Sequence, residues 1–348
     1  MRWLSTALLL PAVVDAAHHA RPSGGAIPGA SSSLSVRVTP PQTYAEQDVS
    51  FVGAGLTIPG TLCLPVDSAA RKRPLVVMVQ GSGPHDRDET IGPNKPFSDL
   101  AHGLAKRGIA TLRYDKRTIL ERPSGPEVIT LKWEVEDDAL AALDFARKLP
   151  QADSDRLFIL GHSLGAMLAP YLAEHDPSSE PLRGIIMMAA ASRPHLAMVD
   201  DQIRVLMKQQ GATDAGIAAA LEEQHRIVHD IESGNMPPNQ MLQGAPVHYM
   251  RELIMLDPAG ELERGKTPAL VLQGGKDVQV FEPDFELLKE ALRRRNIAGD
   301  EAKLFPSLNH LFMNVDGESS VATYQTPGHV APEVVDTIAA WVKARAEW

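Results

Sequence analysis

The chain has 348 residues, 44% hydrophobic and 22% charged, a balance that describes a globular protein with a sizeable core. Its 44 acidic and 34 basic residues leave a formal charge of −10, and no dense basic stripe stands out, which argues against a nucleic-acid partner. Cys63 is the only cysteine, so within this chain neither a disulfide nor a cysteine metal cluster can form.

The opening stretch "MRWLSTALLLPAVVDAAHHA" sets one Arg before an apolar segment, Trp3 to Val14, and follows it with small residues. That pattern predicts a signal peptide over residues 1–20 and a secreted or periplasmic protein. The segment is too short to span a bilayer, and Pro11 and Asp15 weaken it further, so no stable membrane insertion is expected. Residues 21–45, rich in Gly, Ser and Pro at their start, read as a flexible linker, and residues 46–348 as one folded domain.

In chain order, "VSFVGAGLTIPGTLCLP" predicts a β-hairpin, its two apolar runs split by Gly and Pro. "PLVVMVQGSG" carries a buried strand from Leu75 to Val79 that ends in glycines. "FSDLAHGLAKRG" is a helix stopped at Gly108, "IATLRYD" a strand, and "EVEDDALAALDFARKL" a helix with acids early and bases late, which suits the helix dipole. The strand "RLFILG", a second helix and the strand "GIIMMAAA" follow. From about 192 to 265 this alternation breaks into helical patches without a strand, which predicts a helical cap insertion. It resumes with "PALVLQGG", the helix "DFELLKEALRRR", the strand "AKLFP" and a closing helix from about Pro332 to Ala346. Alternating strands and helices predict an α/β fold, its sheet mostly parallel with helices on both faces.

Within it, "RLFILGHSLGAMLAPYLA" places Gly-His-Ser-Leu-Gly between a buried strand and an Ala/Leu-rich helix. A strand, sharp turn and helix would strain the Ser163 backbone and lift its hydroxyl clear of the sheet. Gly161 and Gly165 are then required where a side chain would strike the neighbouring strand or the helix start. A serine nucleophile needs a base, and the base an orienting carboxylate. Asp277 in "LVLQGGKDVQV" and His310 in "LFPSLNHLFM" both follow strands, at the sheet end where ligands gather. The order Ser163, Asp277, His310 is the one this architecture calls for.

On these residues the chain resembles an α/β-hydrolase of the serine type from roughly Val49 to Trp348, with the cap inserted after "GIIMMAAA". "GSGPHDRDETIGPNKPFSDLAHGLAKRGIATLRYDKRT", "GHSLG" and "QGGKDVQV" are similar to stretches of bacterial, often exported carboxylesterases near the dienelactone hydrolase and prolyl oligopeptidase-like groups. The resemblance implies that Ser163 attacks an acyl carbonyl, that His310 takes its proton and that Asp277 holds the imidazole tautomer. It further implies an oxyanion hole from the N–H of Leu164 and that of Ser82, with Gly81 or Gly83 as alternatives for the second. One departure is Gln80-Gly81, where many relatives have His-Gly. Water would release the acyl group, so no cofactor and no metal is implied.

The expected function is hydrolysis of small to medium carboxylic esters. The alternatives are a thioesterase, an acyl-aminoacyl peptidase, or a binding protein reusing the fold. The partner is a small-molecule ester; the sequence specifies no oligomeric state. Asp86, Arg87, Asp88, Arg113, Asp115 and Arg117 follow strands, where they either line the cleft or, as expected more often, brace its loops through salt bridges. His162 reads as part of the turn. His225 and His229, four apart on a helix, lack the Glu of a zinc-binding His-Glu-x-x-His pattern. The cap methionines, Met198 and Met207 among them, suit a pliable acyl pocket as well as plain packing.

Overall fold

The computed structural model describes residues 43–66 and 72–346; the predicted signal peptide and most of the predicted linker lie outside the described residues. The hairpin forms as expected, β1 (Tyr44–Gly53) against β2 (Leu56–Pro65). Ala54 and Gly55, with φ of 43° and 85°, make its two-residue turn, the left-handed pair whose twist matches that of the strands. Then come β3 (Arg73–Val79), α1 (Pro96–Ala105), β4 (Ala110–Tyr114) and the single turn α2 (Arg117–Leu120). A π-helical stretch, Lys132–Glu136, leads into α3 (Asp137–Arg147). β5 (Ala152–His162), α4 (Leu164–Glu174) and β6 (Gly184–Met188) complete the first half.

The insertion holds α5 (His195–Gln209), α6 (Asp214–Glu232), α7 (Val247–Ile254) and α8 (Pro258–Arg264). Two corrections to the sequence reading arise here. Two-residue strands β7 (Met241–Leu242) and β8 (Ala245–Pro246) pair antiparallel where no strand was expected, because so short a ladder leaves no periodicity. And α8 packs on α4 and on α9 (Glu282–Arg295), so it belongs with the main body rather than with the overhanging part. The chain closes with β9 (Ala269–Gly274), which precedes α9, then β10 (Glu301–Phe305) and α10 (Pro332–Ala346).

Eight strands form one sheet in the order β1-β2-β4-β3-β5-β6-β9-β10. Only the β1·β2 and β2·β4 pairings are antiparallel. Side chains alternate between two cores: Leu75, Val77 and Val79 of β3 enter one apolar cluster, Val76 and Met78 the other. A strand buried on both faces reads as one continuous apolar run for this reason. Phe97 and Leu100 of α1 and Ile338 of α10 cover one face, while Leu143 of α3, Leu168 of α4 and Phe285 of α9 cover the other. The connection through α1 thus carries the chain from β3 to β4 on one face, and that through α3 returns it past β3 to β5 on the other. This reversal opens a crevice at the carboxyl ends of β3 and β5.

The insertion leans over that end of the sheet. Gln202 of α5 donates to the carbonyl of Gln279, after β9, at 2.6 Å, and Gln209 to that of Ser319, after β10, at 2.8 Å. On the other flank His248 of α7 lies 2.9 Å from the carbonyl of Ile129, and Glu252 accepts from the N–H of Leu131 at 2.7 Å. Among the described residues no helix is long and apolar enough to cross a membrane.

Candidate active site

Ser163 joins β5 to α4 with φ 51° and ψ −116°, a backbone conformation that costs a non-glycine residue about 1–3 kcal/mol. The elbow is held by its surroundings. The Ser163 N–H donates to Met188 O at 2.9 Å, and its carbonyl accepts from Ala166 and Met167 at 3.0 Å. Its hydroxyl does not cap the helix it precedes. A Cβ on Gly161 would lie 2.2 Å from the carbonyl oxygen of Gly165, and one on Gly165 would lie 2.3 Å from that of Val79, at the end of β3. Both glycines are therefore needed for backbone to meet backbone. Gly165→Ala is expected to destabilise the protein by about 3 kcal/mol or fail to fold, as overpacking against rigid carbonyls does; soluble yield and a thermal melt check this.

Asp277 and His310, 33 residues apart, meet in a buried hydrogen bond of 2.7 Å between Oδ2 and Nδ1. The Asp277 carboxylate also accepts the N–H groups of Gln279 at 2.8 Å and Val280 at 3.0 Å, and the Gln273 side chain at 3.1 Å. With every other partner a donor, the carboxylate acts as an acceptor, so Nδ1 carries the hydrogen and the His310 Nε2 lone pair stays free as a base. The two loops are stitched by backbone: Lys276 N–H donates to Leu308 O at 2.9 Å and Gly275 N–H to Phe305 O at 2.8 Å. A Cβ on Gly274 would lie 2.5 Å from Leu308 O. Asn309 braces the same loop, accepting from Leu311 N–H at 2.9 Å and Met313 N–H at 3.1 Å.

The loop after β3 passes directly over the elbow, since a Cβ on Gly81 would stand 3.2 Å from Ser163 Cβ. Its amides are unequally occupied. Gly81 N–H donates to Glu89 at 2.6 Å and Gly83 N–H to Glu134 at 3.0 Å, whereas Ser82 N–H has no acceptor among the described residues. Leu164 N–H, at the start of α4, likewise has none among them, as the first amides of a helix do. Of the three loop amides considered from the sequence, Ser82 is thus the one left to meet a ligand. Gln80 turns away, its amide donating to the carbonyl of Tyr114, so the departure from His-Gly falls on a side chain that supports the loop from below.

Sequence reasoning missed the carboxylates beneath this loop. Glu134 also accepts from Lys116 at 2.5 Å and from Tyr249 of α7 at 2.6 Å, and Lys116 donates to Gly81 O at 2.6 Å. Burial opposes the charge of Glu134, but Lys116 and the three hydrogen bonds outweigh it and hold the carboxyl below its ordinary range. The π-helical stretch that turns Glu134 inward departs from regular helical spacing, so an amphipathic pattern could not single it out. The charged run after β3 and β4 is bracing, as expected. Arg87 grips Asp115 with two bonds of 3.0 and 2.8 Å, Arg113 pairs with Asp88, Arg117 with Asp138, and Asp86 accepts the N–H of Thr90 at 2.9 Å. His225 bonds Asp200 at 2.9 Å on the exposed cap.

Comparison with known proteins agrees with this fold. A family model described as serine aminopeptidase, S33, matches residues 91–316. The chain is 38% identical over 303 residues to esterase EstD of Thermotoga maritima, covering 87% of this chain and 68% of the relative. Est1E from Butyrivibrio proteoclasticus shares the fold at a TM-score of 0.55 and 16% identity, over 86% of this chain and 99% of that one. A fungal esterase from Rhizomucor miehei does so at 0.54 and 16%, over 87% and 85%. Matched over more than half its length by that model, the chain belongs to the serine aminopeptidase S33 family of α/β-hydrolases.

Proposed function

We propose that the protein is a serine hydrolase that cleaves carboxylic esters of small to medium size through an acyl-enzyme. The observation that carries this reading is the 2.7 Å bond from buried Asp277 to Nδ1 of His310, in a chain whose β5–α4 elbow holds Ser163 at positive φ. In the proposed mechanism, His310 Nε2 takes the Ser163 proton as Oγ attacks the ester carbonyl. The oxyanion forms against the N–H groups of Ser82 and Leu164. His310 then protonates the leaving alcohol, and a water activated by the same nitrogen releases the acid. The identity with an esterase supports ester over amide substrates. A panel of p-nitrophenyl esters of graded length with a thioester and an anilide tests this; cleavage of the anilide alone would replace it with the peptidase reading.

The overhanging part of the insertion, His195 to about Ile254, is proposed to set acyl preference without supplying chemistry. Met198 of α5 is buried in the same continuous apolar cluster as Leu164 and Met167 of the elbow helix. Met198→Ala is expected to shift preference among ester lengths several-fold while leaving kcat on a short acetate within about twofold; the same panel checks it, and an equal slowing of every ester would refute it. Export is proposed from the leading apolar segment, and N-terminal sequencing of secreted material tests it.

A further inference from the structure

We propose that Glu89 and His162 are a positioning pair that locks the loop bearing the oxyanion amide and the loop bearing the base into one register behind Ser163. The proposal rests on the hydrolase reading above. One chain of bonds runs through all three loops of the site. Gly81 N–H donates to Glu89 Oε1 at 2.6 Å, Glu89 Oε1 lies 3.1 Å from His162 Nδ1, and His162 Nε2 lies 2.9 Å from the carbonyl oxygen of His310. The imidazole rings of His162 and His310 approach to 4.7 Å between centroids.

The chemistry of the partners assigns the hydrogens. A carbonyl can only accept, so His162 Nε2 carries a hydrogen toward His310. Glu89 Oε1 accepts the Gly81 amide and, as a carboxylate, accepts from Nδ1 as well, which makes His162 an imidazolium paired with it. Burial works against both charges, yet each sustains the other, Glu89 staying below its ordinary range and His162 above it. Both side chains are buried, where taking two charges out of water costs much of what their attraction returns, so that an ion pair often stabilises no more than apolar packing of the same volume. Glu89 itself sits at φ 52°, a further cost. An arrangement this expensive, touching both the oxyanion loop and the base loop and neither Ser163 Oγ nor Asp277, fits a device for geometry.

Its consequence is specific. With Gly81 N–H turned down onto Glu89, the next amide, Ser82, is the one presented to substrate. With the His310 carbonyl fixed, the imidazole of the base is anchored relative to that amide. These positions matter when charge develops on the carbonyl oxygen, more than when the ester first binds.

The test compares Glu89→Gln, which keeps shape and removes charge, with the double variant Glu89→Gln/His162→Gln, which leaves a neutral pair. For each, kcat per site on p-nitrophenyl acetate is measured with sites counted by fluorophosphonate titration, alongside a thermal melt. A misplacement of about 1 Å costs on the order of 10² in rate, so Glu89→Gln is expected to lose 10- to 100-fold in kcat per titrated site with KM changed less than about threefold. Affinity for a boronic acid that mimics the tetrahedral adduct should fall by the same factor as kcat/KM. Wild-type kcat per titrated site in either variant, or failure of both to fold, would assign the pair to stability alone and overturn the proposal. Failure of the underlying reading looks different: the unaltered protein would hydrolyse no ester.

Discussion

Replacing Ser163 by alanine is expected to lower kcat on p-nitrophenyl esters by on the order of 10⁶ while the protein stays folded, the loss seen when a serine hydrolase loses its nucleophile. The hydroxyl forms no cap on α4, so its removal takes away no helix contact. The elbow depends instead on the Ser163 backbone bonds to Met188, Ala166 and Met167 and on the bare glycines at 161 and 165. Ser163→Gly should be equally inactive yet more stable, by about 1 kcal/mol, because glycine adopts φ 51° without the Cβ penalty. Steady-state kinetics with site titration and paired thermal melts test both arms. A folded alanine variant that keeps most of its esterase activity would rule out the serine mechanism, and a glycine variant less stable than the parent would contradict the strain argument.

Asp277→Asn should cost about 10⁴ in kcat, less than loss of the nucleophile, because the acceptor oxygen that serves Gln279 and Val280 can be kept while the partner of His310 is changed. The asparagine NH₂ would face Nδ1 of His310 as a donor. That stabilises the tautomer with hydrogen on Nε2, which cannot accept the Ser163 proton. The loss should therefore fall in kcat, with KM little moved, and the melt should shift only modestly. A near-neutral Asp277→Asn would mean that another group orients His310, although no other carboxylate among the described residues is hydrogen-bonded to its ring.

The parts of this molecule that were legible in its sequence are those governed by local rules. Leu75–Val79 reads as a doubly buried strand because side chains of both parities must be apolar when helices cover both faces. The elbow is legible because a strand, a strained serine and a helix follow one another within a few residues, and steric limits at Gly161 and Gly165 leave glycine alone at those positions. Asp277 and His310 could be picked out without a contact map, since a parallel sheet places every post-strand loop at the same end.

What only the tertiary structure decided is the set of interactions between loops distant in the chain. Glu134 reaches Gly83, 51 residues earlier, and receives Tyr249 from 115 residues later. Glu89 meets His162 across 73 residues. In the sequence both acids look like ordinary charges, one in an acidic helix start and the other at the end of a charged loop run. Sequence reasoning names Ser82 for the second oxyanion amide but leaves Gly81 and Gly83 open as alternatives, and what it cannot supply is that Glu89 and Glu134 take up those two amides. Local sterics and periodicity act through neighbours along the chain, so the sequence by itself determines strands, helices, the elbow and the order of the site residues. Pairing of buried charges depends on which loops the folded sheet brings together, and that selection exists only once the sheet is formed.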